Sequence, residues 1–331
     1  MDWDGFVEFL AARQLTAGEI EQSVAVVETF ARQLRELEPP LSLEQATPQA
    51  AHDFVGRLVA TEQNSERNLA ALARAGYFLG NTALYVTVLA LLDGSEVMDE
   101  LYSRLGTALG EQARDQIFDG IEPPPLGTPS AEKARLMRTV IGRLEQTADP
   151  GTCRRLLCSC LRHLDDDWFA SHKEQYRQCE GIDEYLALRS RELVSQLEAI
   201  RDEGSLFFNQ PITDEVIEYV RADPEIESGT RQGDTVFVSK IPYLAAEYLA
   251  ATDPAEKRYL YCHCPWARES LRGGGPPVSA TLCYCSGGFA KRSLEVVLGR
   301  QLQVEVVESV LKGDVRCRFA IKLPPEVVPD E

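Results

Sequence analysis

Over the first third of the chain, apolar positions recur at helical spacing. Val24, Val27, Phe30, Ala31 and Leu34 form one stripe, the three-and-four spacing that turns a single helix face toward a core. Start signals precede such stripes. Thr16 with Glu19 and Ser42 with Gln45 have the form of capping boxes, and Thr47 before Pro48 puts an N-cap ahead of a proline at the first helical position. The pattern continues through Asn68 to Leu79, Leu84 to Leu92 and Val97 to Leu105, until Pro123, Pro124, Pro125, Gly127 and Pro129 break it. Residues 1–121 therefore read as an all-α bundle and residues 122–130 as a linker.

The second half mixes periods. Ser130 opens a new helical stretch that runs past Cys153 and through Glu184 to Glu203, so residues 131–204 read as helices packing on the C-terminal domain. From Thr235 onward, Val236, Val238 and Ile241 predict a strand and Tyr243 to Thr252 a helix. Leu260 to Cys264 and Thr281 to Cys285 predict two further strands, separated by the Gly273 to Pro277 loop. Phe289 to Leu298 predicts a helix with Ser286 as its N-cap. Val304 to Leu311, Lys312-Gly313-Asp314 and Val315 to Leu323 predict a β-hairpin. Val315, Cys317, Phe319, Ile321 and Leu323 lie on its buried face. The expected fold class is α+β: an N-terminal all-α bundle, then an α/β domain over 205–331 whose mainly antiparallel sheet is closed by this hairpin.

Composition narrows the function classes. A chain of 331 residues is long enough for two cores. Its start lacks a secretory pattern, and the longest apolar run, Ala83 to Leu92, is too short to span a bilayer. The expectation is a cytoplasmic protein without a membrane partner, whose nine cysteines stay reduced. The net charge is -18, and residues 1–120 contain no lysine. That field repels nucleic acid, leaving only a local basic face on the N-terminal helices as a route to DNA. The nucleotide-binding P-loop, the G-x-G-x-x-G dinucleotide turn and the H-E-x-x-H zinc motif do not occur in the sequence.

Six of the nine cysteines fall in Cys-x-Cys pairs: Cys158 and Cys160, Cys262 and Cys264, Cys283 and Cys285. On strands, residues two apart share a face, so Cys262, Cys264, Cys283 and Cys285 could converge on zinc or an iron–sulfur cluster. C-x-C on a straight strand diverges more than the C-x2-C of zinc knuckles, and Pro265 keeps Cys264 extended. Plain burial is the competing reading. A third is thiol chemistry. Cys285 precedes Ser286, Gly287 and Gly288 at a helix start, where N–H groups favour a thiolate and the glycines let a ligand approach. That helix start suits a carboxylate or phosphate, with Arg268 or Lys291 as partner. His263 is a ligand, a general base for Cys285, or a histidine satisfied on the other face. Cys153 and Cys160, seven apart, predict one buried helical face, with Cys158 and Cys179 beside it.

Two resemblances attach to these residues. Tyr261-Cys262-His263-Cys264-Pro265, Cys283-Tyr284-Cys285-Ser286-Gly287-Gly288-Phe289 and Gly313-Asp314-Val315-Arg316-Cys317-Arg318-Phe319 resemble the ligand-binding domains of the 4-vinyl-reductase type and the related L-2-amino-thiazoline-4-carboxylic acid hydrolase-like families. That resemblance implies a small-molecule pocket between sheet and helices near Cys262, Cys264, Cys283, Cys285 and Cys317, with a hydrolase as one outcome. Residues 5–90, through Phe6 to Leu10, Leu15-Thr16, Val24 to Leu34, Ala46-Thr47 and Arg67 to Leu79, resemble the SAM-like core-binding domain of tyrosine recombinases. No recombinase catalytic set follows. The expected function is small-molecule binding, with hydrolysis as a candidate activity, at a cysteine-rich metal or thiolate site. The alternative is an interaction or DNA-binding module carried by the N-terminal helices.

Overall fold

The computed structural model describes residues 1–273 and 275–327, so Gly274 of the predicted glycine loop lies outside the described residues. Two compact units divide the chain. The first holds residues 1–95 and 123–133, the second residues 96–122 and 134–331. Both borders differ from those read in the sequence, because the residues after Ser95 pack with the C-terminal half.

The first unit contains α1 (Trp3–Ala11), α2 (Ala17–Arg35), α3 (Pro48–Ala60), α4 (Glu66–Phe78) and α5 (Thr82–Leu92). Its start signals act as expected. Thr16 and Glu19 close a capping box on α2, and Thr47 caps α3 ahead of Pro48. Val27, Phe30 and Leu34 are fully buried, and Phe30 meets the Phe54 ring at 4.9 Å between centroids. Asn81 caps α5 by accepting from Leu84 N at 3.0 Å, while its amide reaches Ala46 O at 3.0 Å. At the other end of α5 the buried Lys133 ammonium donates to Leu91 O and Asp93 O, satisfying carbonyls the helix leaves open.

The second unit begins with α6 (Val97–Leu109) and α7 (Glu111–Ile117), then takes α8 (Ser130–Thr147) from Ala134, α9 (Pro150–Leu157), α10 (Ala170–Arg177) and α11 (Ile182–Glu203). A short ribbon of β1 (Leu206–Phe207) and β2 (Gln210–Pro211) precedes α12 (Asp214–Ala222). Next come β3 (Thr230–Gln232), β4 (Thr235–Ser239), α13 (Ala245–Ala250), α14 (Pro254–Tyr261), α15 (Cys283–Leu298), β5 (Gln303–Glu308) and β6 (Arg318–Lys322). The main sheet is antiparallel throughout, in the order β3-β4-β6-β5. The protein is therefore α+β, as its patterning implies. Val236 pairs with Ile321 and Val238 with Phe319, and Val304 and Val306 complete the buried face. On the other face Arg318 makes a two-pronged ion pair with Glu225, both contacts at 2.6 Å.

The predicted hairpin exists, with corrections. A 3-10 turn at Val310–Lys312 lengthens its connection, the second arm starts only at Arg318, and Val315 is exposed. The two cysteine strands do not form. Asp253 caps α14 by accepting from Glu256 N at 3.0 Å with Pro254 at the first position, so Leu260 and Tyr261 end a helix. Thr281 and Leu282 belong to a 3-10 turn, Ala280–Leu282, that Ser279 caps and α15 continues. Ser286 therefore lies inside the helix rather than at its N-cap. The helix predicted from Tyr243 begins two residues later, and α9 stops at Leu157, leaving Cys160 beyond it with a left-handed φ of 60°.

Gly287 and Gly288 explain how α15 docks. A Cβ on Gly287 would sit 3.3 Å from Val304 of the sheet, and one on Gly288 would sit 2.4 Å from Cys158 O and 2.6 Å from Cys160 N. Gly288 admits protein backbone, and Gly287 the Val304 and Phe319 side chains, where a ligand was expected. Gly288→Ala should cost about 3 kcal/mol by forcing helix and chain apart. Gly142→Ala on α8, where a Cβ meets nothing within 4 Å, should stabilise by up to about 1 kcal/mol. Urea denaturation of the two variants checks this. Equal midpoints would refute the docking role of Gly288.

Candidate functional site

Cys262, Cys264, Cys283, Cys285 and Cys317 lie around the N-terminal turn of α15, the end of α14 and the entry to β6. Cys262 caps α14 and is buried. Cys264 comes next, in a turn in which its carbonyl accepts from Ala267 N and Arg268 N at 3.1 and 2.8 Å. Tyr261 fixes this end of α14. Its fully buried hydroxyl accepts from Lys240 N at 3.0 Å and lies 2.9 Å from Lys240 O and 3.1 Å from Cys317 O. One side chain thus ties α14 to the exit of β4 and the approach to β6. Cys283 Sγ is 3.0 Å from the hydroxyl of the fully buried Ser309, which also bonds the Cys317 thiol. Burial pushes the Cys262, Cys283 and Cys317 thiols up, and for Cys262 and Cys283 the neighbouring sulfurs reinforce it.

Cys285 has a different partner. Because residues three apart share a helix face, the contact of Gly288 with Cys158–Cys160 brings Cys285 to the same segment. Leu161 N donates to Cys285 Sγ at 3.2 Å, Arg162 N donates to Cys160 Sγ at 3.4 Å, and the two thiols hydrogen-bond each other. The hydrogen bond from Cys285 holds Cys160 down at about 7, against the opposing effect of burial, with the Arg162 amide and the charges of Lys240 and Arg162 helping. Cys285, as the donor, is pushed well up. One proton is thus shared, and the first ionisation belongs to the pair. Expectation placed the thiolate on Cys285 alone. The opposite shifts of the pair favour the charge on Cys160, which is buried, over the half-buried Cys285.

Polar groups face these sulfurs. Lys240 lies with its ammonium 4.4 Å from the centre of the Phe289 ring, and its charge acts on Cys160, Cys317, Glu227 and His263. Glu227, at a left-handed φ of 59°, accepts from Ile241 N at 3.1 Å. Its side chain is solvent-exposed, yet loss of solvation pushes its carboxyl up. His263, Cys264, Cys283, Cys285 and Cys317 likewise keep partial exposure, and for His263, Cys283 and Cys317 desolvation is the leading effect on the pKa. These groups lie at the surface beside β4 and α15, partly shielded from solvent by their neighbours. Sequence reasoning passed over Lys240, Glu227 and Cys160 as members of this site. Its one usable signal was a lysine directly after strand residue Ser239.

The other residues expected at the site take different places. His263 Nε2 donates to Ile241 O at 2.6 Å, and its ring meets Tyr243 edge-on. Burial, with the Lys240 charge, pushes it down to about 3, so it stays neutral and is too weak a base to activate a thiol at neutral pH. Arg268 lies over the Tyr243 ring at 4.0 Å, with its buried Nε lacking a hydrogen-bond partner. Lys291 is buried against Glu295 at 2.7 Å and donates to Leu302 O, which excludes it as a ligand contact. Cys153 is buried in α9, but Cys160 does not share its helix. Among the described residues, no three His, Cys, Asp or Glu side chains form a group that could hold a metal ion. Of the four expected ligands, Cys285 Sγ takes the Leu161 amide beside Cys160 and Cys283 Sγ takes the Ser309 hydroxyl.

In the first unit, a cleft of about 200 Å³ is lined by Glu19, Glu66, Arg67 and Arg74 among others. Its two arginines are matched by two carboxylates, an arrangement unlike a phosphate-binding face. No described helix is long and apolar enough to cross a membrane. No family model matches the chain, and neither a curated protein nor a solved structure matches it significantly. Both resemblances rest on their residues alone.

His263 makes the second unit acid-sensitive. Its folded pKa lies below the ordinary 6.5, so below that pH the unfolded chain binds a proton that the folded chain refuses, and stability falls as pH falls toward about 3. Between pH 7 and 4.5 this one group should cost roughly 2 kcal/mol, and His263→Gln should remove that slope. Urea titrations of both proteins at the two pH values measure it. An unchanged slope in the variant would show that His263 is not held neutral.

Proposed function

We propose that the second unit binds a small, carboxylate-bearing molecule in the recess beside β4 and α15 and presents it to the Cys160–Cys285 pair. The observation that carries this reading is the pair itself. A partly exposed thiol, with a backbone N–H 3.2 Å from its sulfur, sits beside a buried thiol whose sulfur takes the next backbone N–H at 3.4 Å and whose pKa is lowered to about 7. Cys285 is the nucleophile. As its sulfur attacks an electrophilic carbon of the ligand, its proton passes to Cys160, which serves as the base that His263 cannot be. Attack on a carbonyl or imine carbon, followed by water, would make the reaction a hydrolysis. Lys240 and Arg268 supply the positive charge that attracts and orients a carboxylate in an otherwise strongly acidic chain. Fixed in its neutral tautomer, His263 orients the Ile241 carbonyl and keeps that wall of the recess uncharged.

Alkylation tests this reading. Iodoacetamide should label Cys285 first, with a rate midpoint near 7, where free thiols ionise near 8.5. Cys160→Ser should return that midpoint to the ordinary range. Relative to a small free thiol, Cys285 should prefer the anionic iodoacetate by about tenfold, and Lys240→Gln should abolish the preference. Peptide mapping that finds no thiol ionising below 8 would end the thiolate reading. If the thiols of anaerobically purified protein resist labelling until a chelator strips stoichiometric zinc or iron, a four-cysteine metal site replaces it.

A further inference from the structure

We propose that Cys160 and Cys285 form a dithiol that peroxide closes to an intramolecular disulfide, making this pair a reversible modification site of the second unit. The inference rests on the reading of the pair as a thiol–thiolate couple and adds the oxidant with which it reacts. The two sulfurs come from distant parts of the chain and meet only because Gly288 seats α15 on the Cys158–Cys160 backbone. Leu161 N, one peptide bond from Cys160, lies 3.2 Å from Cys285 Sγ, and the next amide, Arg162 N, lies 3.4 Å from Cys160 Sγ, so successive backbone amides hold the two sulfurs over the same turn. The other crowded sulfurs are not so placed. The Ser309 hydroxyl bonds both Cys283 and Cys317, and the Cys158 sulfur faces Val304 O at 4.0 Å.

Exposure sets the order of events. Cys285 is half-buried and Cys160 is only 3% exposed, so peroxide meets Cys285. The Cys285 proton moves to Cys160 as Cys285 sulfur attacks one peroxide oxygen. The O–O bond breaks, a sulfenic acid forms on Cys285, and the departing hydroxide takes a proton from water. Cys160 sulfur then attacks Cys285 sulfur, the S–O bond breaks, and the expelled hydroxide leaves as water with the Cys160 proton. One thiol and one thiolate lose two electrons and one proton, and one hydrogen peroxide becomes one water and one hydroxide, which the buffer protonates. The product withdraws the nucleophile from the recess and clamps α15 to the segment before Leu161.

The test uses full-length protein, reduced and desalted without oxygen, then treated with a few equivalents of hydrogen peroxide and blocked with N-ethylmaleimide. The proposal expects two fewer labels by intact mass, a peptide cross-link joining Cys160 to Cys285, at least tenfold slower iodoacetamide labelling of Cys285, and full recovery with dithiothreitol. Cys160→Ser should stop at a Cys285 sulfenic acid that dimedone traps. The cross-link map of the unmutated protein stands even if that variant folds poorly. A cross-link between any other pair, or full labelling after peroxide, overturns the proposal. If the labelling midpoint near 7 persists without a disulfide, only this inference falls. If that midpoint is absent as well, the thiolate reading falls with it.

Discussion

Where Gly288 meets the chain at Cys158–Cys160, helix and backbone approach so closely that a single methyl group would lie 2.4 Å from a carbonyl oxygen. The chemistry of the second unit depends on that approach. It sets the rotation of α15, which turns Cys285 toward Cys160 and leaves Cys283 to Ser309. It also draws the turn after α9 into the site, although nothing in α9 itself points there. A bulkier residue would move the helix outward, and the two thiols would then titrate as independent groups with ordinary acidities. Gly287 plays the matching part on the sheet side, where Val304 and Phe319 fill the space that a side chain would occupy.

Electrostatics in this unit runs against the average of the chain. A molecule with net charge -18 places Lys240 and Arg268 beside its most polarisable groups and keeps its nearest carboxyl, Glu227, short of solvation. The outward face of the sheet shows the opposite habit, with Arg316 and Arg318 neutralised by Glu308 and Glu225. Those cations meet carboxylates in tight ion pairs, while Lys240 stands beside the Phe289 ring and Arg268 over the Tyr243 ring, with Glu269 a looser ion-pair partner at 3.8 Å. That contrast separates a surface built for folding from one suited to an anionic ligand.

The fold was legible in the sequence wherever a local rule decided it. Thr16 and Glu19, Thr47 with Pro48, and the alternation of Phe319, Ile321 and Leu323 all speak for themselves. Around the cysteines local rules conflicted. The run Leu260 to Cys264 has strand composition, but the stronger signal lay upstream in Asp253-Pro254-Ala255-Glu256, a helix start. Likewise Ser279, rather than Ser286, opens this stretch, by capping the 3-10 turn that leads into the helix carrying Cys283 and Cys285. Assigning strands there led to a face of four sulfurs. With helices the same residues still lie near one another, but the partner of Cys285 comes from a segment that periodicity had given to a buried helix. Glu227 and Lys240 were invisible for a simpler reason. Their roles come from the neighbours that the tertiary fold brings to them, and the local sequence offers only the place of Lys240 directly after a strand.

Cys160 holds a left-handed backbone angle that side chains with a Cβ adopt at an energetic cost. Glycine would relieve it, and asparagine would tolerate it better than most residues. Any selection for thermal robustness alone should therefore discard this sulfur early, trading the site for an easier turn. The cysteine stands at a position where folding and chemistry ask for different residues, so laboratory evolution under the two pressures should diverge first at this codon.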